Sequence, residues 1–163
     1  MEKVVLSLLV ANEFGVLTRI TNLFSQRGFN IDTVASGISE NPLYQRITIT
    51  THGDAKIINQ IKLQVAKLED VKAVIEIPAD QLFYREVVLI KVAPKSYQMR
   101  AFQKIVQDFG GKCVIVDDSF SVVEITDTPA SIDYFVEEMQ EFSVKEICRT
   151  GGAAMQLTKE FID

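Results

Sequence analysis

An α+β fold of two consecutive ferredoxin-like βαββαβ sandwiches is what this 163-residue sequence predicts. Three observations predict it. Apolar periodicity alternates between two and about 3.6 residues in the order strand, helix, strand, strand, helix, strand. The same order then occurs a second time, with little residue identity between the copies. A short connector, Pro78-Ala79-Asp80-Gln81, separates them. The expected domains are therefore 1–78 and 79–163.

In the first copy, Lys3–Val10 reads as a strand. A helix follows from Gly15 to Gln26, with Val16, Leu17, Ile20, Leu23 and Phe24 on one face. Gly28 is placed to end it in a left-handed conformation. Strands 31–38 and 43–51 meet at the turn Ser39-Glu40-Asn41-Pro42, and Ile47 and Ile49 alternate with Thr48 and Thr50. Asp54 caps a second helix carrying Ile57, Ile58, Ile61, Val65 and Leu68. In the closing strand 71–77, Val71, Ala73, Ile75 and Ile77 point one way.

The second copy runs as strand 86–93, then a helix capped by Ser96 with Phe102, Ile105, Val106 and Phe109 inward, ended by Gly110-Gly111. Strands 112–116 and 120–126 meet around Asp117-Asp118-Ser119. Thr128-Pro129 starts the last helix, which buries Ile132, Phe135, Val136 and Met139. A final strand covers 144–148, with Gly151-Gly152 placed to interrupt it. Each sheet carries its helices on one face. The first strand also has apolar residues, Val5 and Leu9, on the other face, which predicts an open surface and a homodimer or a hetero-complex, with the first domain as the dimerising half.

Composition narrows the function. Hydrophobic residues make up 47% and charged residues 24%, as in folded globular chains. A net charge of −5 argues against nucleic acid as a partner. An RNA-binding sandwich would also carry aromatic residues on its central strands, where Tyr44 stands alone. The run Val4–Val10 is too short to span a bilayer and no small-residue cleavage site follows it, so a cytoplasmic protein without membrane contact is expected. Cys113 and Cys148 have no CxxC spacing and read as small buried hydrophobes, with no metal site.

The chemistry-bearing residues do not form a catalytic set. The single histidine, His52, reads as a solvated or capping residue. Asp117-Asp118 and Glu137-Glu138 fit a turn and a solvated helix face. No nucleophile elbow, phosphate loop or dinucleotide fingerprint is present, so no catalytic residue is assigned. The informative segment is Asn12-Glu13-Phe14-Gly15-Val16-Leu17, between the first strand and the first helix. Glycine there leaves backbone N–H groups at a helix N-terminus open to a carboxylate or phosphate. Asn12 and Asn30 offer amide donors and acceptors, and are expected at the same end of the sheet. Leu17 and Ile31 would wall an aliphatic side chain. The same residues also fit an ordinary strand-to-helix turn, with Asn12 capping and Gly15 relieving steric conflict.

The run Asn12-Glu13-Phe14-Gly15-Val16-Leu17-Thr18-Arg19, followed by Phe24-Ser25-Gln26-Arg27-Gly28-Phe29-Asn30-Ile31, resembles the start of the acetolactate synthase small-subunit family. Gln60-Ile61, Arg85-Glu86 with Leu89-Ile90-Lys91-Val92, and Arg149-Thr150-Gly151 with Ala154-Met155 continue the resemblance along the chain. The chain departs from the family pattern at Phe14, where a small residue or proline is usual, at Gly110 and Ile115, and at Gly152, where a β-branched residue is usual. The resemblance implies an N-terminal ACT domain that dimerises and binds valine or a related branched-chain amino acid. Its effector positions would be Asn12, Gly15, Val16, Leu17, Asn30 and Ile31. It further implies a catalytic large subunit, a transferase holding thiamine diphosphate, Mg2+ and FAD, which this chain activates and subjects to feedback inhibition. The chain itself would hold no cofactor. The alternative is a free-standing ACT-type sensor that regulates another enzyme or a transcription factor. An enzyme built on this fold is a further reading, opposed by the missing acid–base set.

Overall fold

A computed structural model describes residues 2–117 and 119–158; Asp118, of the expected turn acids, lies outside them. The described residues form two compact units, 2–83 with 153–158, and 84–152. The division falls after Phe83 rather than at Pro78. The connector is a single 3-10 turn, Ala79–Gln81. The chain's later residues return to it, with Leu157 N–H donating to Gln81 O at 2.7 Å and Gln156 Nε2 to Gln81 Oε1 at 2.9 Å.

The first unit contains β1 (Glu2–Ala11), α1 (Val16–Gln26), β2 (Thr33–Ile38), β3 (Tyr44–Gly53), α2 (Ala55–Val65) and β4 (Val71–Ile77). Its sheet has the order β2-β3-β1-β4, so β1 is central and β2 is an edge. One face of β1 (Val4, Leu6, Leu8, Val10) packs with Val16, Ile20 and Phe24 of α1 and Ile58, Ile61 and Val65 of α2. The helix ends are local chemistry. Asp54 accepts from Ile57 N–H at 2.9 Å and caps α2. Gly28, at φ +71°, closes α1 in a Schellman arrangement: Phe29 N–H bonds Phe24 O and Gly28 N–H bonds Ser25 O. Phe29 thereby packs against the core.

Two expectations fail in this sheet. The face of β1 away from the helices is not open: Val5, Ser7 and Leu9 are all buried. Small hydroxyls continue that face onto the neighbouring strands, through Ser7 opposite Thr48 and through Thr33 Oγ1 bonded to Thr50 Oγ1 at 2.6 Å. In β4, Val71 does not share a side with Ala73, Ile75 and Ile77. A register shift between Leu9 and Val10 turns Val71 into the helix-side core.

The second unit is built on β5 (Leu82–Val92), α3 (Met99–Asp108), β6 (Lys112–Val116), β7 (Ser121–Asp127), α4 (Pro129–Met139) and β8 (Val144–Gln156), in the sheet order β6-β7-β5-β8. Val88, Ile90 and Val92 pack with Phe102, Val106, Ile132, Phe135 and Met139. Thr128 Oγ1 accepts from Ser131 N–H at 3.4 Å ahead of Pro129. Ser96 does not cap α3. It opens a 3-10 turn, Ser96–Gln98, in which Gln98 Oε1 accepts from Lys95 N–H at 2.9 Å. Both cysteines are free and exposed rather than buried, Cys113 on the edge strand β6 and Cys148 on β8.

Gly151-Gly152 does not interrupt the last strand, which continues to Gln156. Gly152 is buried, and a Cβ there would lie 1.7 Å from Cζ of the buried Tyr84 ring. The ring fills the volume that a side chain at 152 would need, which accounts for glycine at this departure from the family pattern. On the helix side of the same strand, Arg149 forks onto Glu86, with Nε to Oε1 at 2.8 Å and Nη2 to Oε2 at 2.9 Å, and adds Asp133 at 2.6 Å. Glu86 is only 3% exposed. Its carboxylate, with that of Asp133, pushes the Arg149 guanidinium above its ordinary range.

Gly152→Ala is expected to destabilise the protein by about 2–3 kcal/mol through overpacking against Tyr84, read as a fall in the urea midpoint. Arg149→Met leaves the Glu86 charge buried without its partner. Because Arg149 is itself about one-third exposed, the expected loss is about 2 kcal/mol, below the full cost of breaking a buried pair.

Candidate functional site

The segment between β1 and α1 is held from three sides. Ala11 N–H donates to Asp70 O at 2.8 Å, Asn12 N–H to Leu43 O at 2.8 Å, and Arg19 Nε to the Asp70 carboxylate at 2.6 Å. Gly15 takes φ +83°, a left-handed conformation that glycine alone adopts without strain. It stands at the N-cap of α1, where no side chain caps the helix and no acidic residue occupies the first turn. The leading N–H groups of α1 are therefore open to an external acceptor, and the helix dipole favours an anion there.

The six expected site residues take different places. Val16 is 3% exposed, with its side chain in the core, so only its backbone N–H is offered at the helix start. Leu17 is 39% exposed and Phe14 is fully exposed, both beside Gly15. The Asn12 amide is bonded at both ends: Nδ2 donates to Pro42 O at 3.0 Å, and Oδ1 accepts from Gln45 Nε2. Asn30 Nδ2 donates to Asp32 Oδ1 at 2.9 Å, and Asn30 O accepts from Thr51 Oγ1 at 2.6 Å. Ile31 packs against the first core.

Asn12 and Asn30 do not share one end of the sheet within a chain. Asn12 follows Ala11, which is opposite Tyr44, whereas Asn30 is bonded to Thr51, which is opposite Val4. The step along β1 from Val4 to Ala11 is about 24 Å at strand rise. The cause is α1 itself. It starts beside Asn12 and its 11 residues carry the chain back along the sheet by about 16 Å before Asn30 is reached.

The structure adds residues that the sequence did not single out. Asp32 bridges Asn30 and His52, its Oδ2 accepting from His52 Nδ1 at 2.5 Å. His52 is thus both solvated, with its side chain 44% exposed, and paired. The Asn30-x-Asp32 spacing was a readable signal, since side chains two apart meet in Asx-type turns. Gln45 and Pro42 reach Asn12 from about 30 residues away, and no local signal marks them.

The first unit is a βαββαβ sandwich with a left-handed glycine at the uncapped start of α1, and its match to a family model puts it in the ACT class. Residues 6–73 match the family described as "AHAS small subunit-like ACT domain", and residues 85–158 match "Small subunit of acetolactate synthase". The chain is 38% identical to the acetolactate synthase small subunit of Buchnera aphidicola subsp. Baizongia pistaciae, over 90% of this chain and 93% of that one. It is 33% identical to the acetolactate synthase isozyme 3 small subunit of Escherichia coli, over 90% and 91%. The crystal structure of the acetolactate synthase small subunit from Thermotoga maritima superposes with a TM-score of 0.89 at 36% identity, covering 96% of this chain and 98% of that one. The chain belongs to the acetolactate synthase small-subunit family.

Gly15→Ala is expected to cost about 1–2 kcal/mol from the left-handed conformation. The added Cβ would also press on the Arg19 guanidinium, 3.2 Å away. The loss is measurable as a lowered thermal midpoint.

Proposed function

We propose that this chain binds the catalytic large subunit of acetolactate synthase, raises its activity, and makes it subject to feedback inhibition by valine or a related branched-chain amino acid. The observation that carries the reading is the open helix N-terminus at Gly15, flanked by Asn12 and the exposed Leu17. The amino acid's carboxylate accepts from the N–H groups of Val16 and Leu17, where the dipole stabilises it. Thiamine diphosphate, Mg2+ and FAD are assigned to the catalytic subunit, which joins two 2-oxo acids with loss of CO2. No described helix is long and apolar enough to cross a membrane, and the proposed setting is the cytoplasm.

The separation of the two asparagines supports a site shared between two copies. β2 is an edge strand with a free ladder of backbone groups and partly exposed Val34 and Ile38. Such an edge pairs readily with another strand. A two-fold antiparallel pairing of β2 with β2 of a second copy reverses the direction of the partner's sheet. The start of the partner's β2, with its Asn30, then approaches the end of this chain's β2, where Asn12 lies bonded to Pro42 and Gln45. Ligand contacts then span both chains. A binding event that favours one arrangement of the dimer biases the attached catalytic subunit.

Acetolactate formation by the catalytic subunit, with and without this chain and titrated with valine, leucine and isoleucine, tests the reading. Activation with saturable inhibition is expected. Gly15→Asp is expected to abolish inhibition while leaving activation in place; inhibition at wild-type valine concentrations in that variant counts against the site. Sharing is tested by mixing inactive Asn12→Ala and Asn30→Ala chains. Half the dimers are then mixed, and each mixed dimer has one intact site, so valine binding is expected to return to about a quarter of the sites. A site contained in one chain gives no return.

A further inference from the structure

Asp32 and His52 are outside the six effector positions, yet they fix which end of Asn30 a ligand meets. Asp32 is a carboxylate, an acceptor with no proton to donate. Its Oδ1 takes the Asn30 amide hydrogen at 2.9 Å, and its Oδ2 takes His52 Nδ1 at 2.5 Å. With both oxygens engaged, the carboxylate is clamped between the segment leading into β2 and the end of β3. Asp32 N–H adds a third tie, to Thr50 O at 2.9 Å, and Thr51 Oγ1 fixes the Asn30 carbonyl at 2.6 Å. An amide side chain is ordinarily free to exchange its oxygen and nitrogen by rotation. At Asn30 the carboxylate settles the choice: the NH2 faces Asp32 and the Oδ1 faces outward, with no hydrogen bond to it among the described residues.

We propose, on the basis of the shared effector site described above, that Asp32 is the positioning residue that makes Asn30 an acceptor for the ligand's ammonium group, with His52 holding Asp32 in place. The outward oxygen accepts an N–H and repels another acceptor. The Asp32 charge, directly behind the amide, reinforces the same preference. The arrangement selects a 2-amino acid over the 2-oxo acid of the same carbon skeleton, which presents a carbonyl oxygen where the ammonium would be. The two differ at that one atom, and both carry the carboxylate that the helix N-terminus takes. For an enzyme whose substrates and early products are oxo and hydroxy acids, a sensor blind to them and responsive to the amino acid reads the end product alone. Opposite this site, Asn12 is fixed in a comparable way. The Pro42 carbonyl is acceptor-only, so it holds the Asn12 NH2 and leaves Oδ1 to Gln45.

Calorimetric titration of the full chain with valine, and competition of valine by its 2-oxo acid, tests the assignment. Wild type is expected to favour valine strongly. Asp32→Ala is expected to weaken valine by about tenfold, the loss of one charge-assisted contact. The 2-oxo acid should change by less than about twofold, because it never used that contact. Asp32→Asn, which keeps an oxygen for the Asn30 NH2, is expected to stay within about threefold of wild type. Equal weakening of both ligands by Asp32→Ala, or no weakening of valine, overturns the positioning role. Asn30→Ala separates this from the site itself: wild-type valine affinity in that variant overturns the effector site, whereas lost affinity there with an unchanged ligand ratio in Asp32→Ala overturns only the positioning role.

Discussion

β1 is the constraint on which the first unit depends. It is buried on both faces, with Val4, Leu6, Leu8 and Val10 under the helices and Val5, Ser7 and Leu9 on the other side. A strand in that position cannot shift by one residue without exchanging its two apolar sets. Its register with β3 is unbroken from Glu2 to Ala11. The end of β1 is therefore a fixed point in the fold. Asn12 is the first residue beyond it, tied to Leu43 and Pro42, and Gly15 turns the chain into α1 only three residues later. The burial that stabilises the core also sets the position of the open N–H groups.

The same geometry explains why the polar residues are distributed as they are. A helix connecting parallel strands β1 and β2 must return the chain to the far end of the sheet, so residues before and after α1 cannot meet in one copy. Asn12 and Asn30 are each held by an acceptor that cannot be mistaken for a donor, a carbonyl at one and a carboxylate at the other. Each half of the site is thus ordered before any ligand or second copy arrives. Ordering in advance reduces the entropy lost on binding, which suits the shared site proposed above.

Much of this was legible in the sequence. The strand and helix periodicities, Gly28 as a helix stop, Asp54 as a cap and the doubled βαββαβ order all follow from local rules, and the structure keeps them. Gly15 was legible as the turn, since only its position between strand and helix was needed. Non-local facts were not. The shift between Leu9 and Val10 that turns Val71 inward depends on two strands more than sixty positions apart. β8 continues past Gly151-Gly152, and the glycine at 152 makes room for the Tyr84 ring, so it reads as a break until the ring is known. The error over Asn12 and Asn30 had a different origin. The two were expected at one end of the sheet, but the 11-residue helix between them returns the chain to the other end.

The two copies of the fold differ at the start of their first helix. Both copies pass from a first strand to a first helix, but α3 is reached through a 3-10 turn. There Gln98 N–H bonds Lys95 O at 2.8 Å, and the Gln98 side chain satisfies Lys95 N–H. The turn satisfies its own donors, and no left-handed glycine opens it. The helices α2 and α4 are closed in another way, by Asp54 and Thr128 as side-chain caps. α1 alone among these four combines a glycine N-cap with no side-chain cap and no 3-10 lead-in. Its leading donors are left without a side-chain cap from the chain itself.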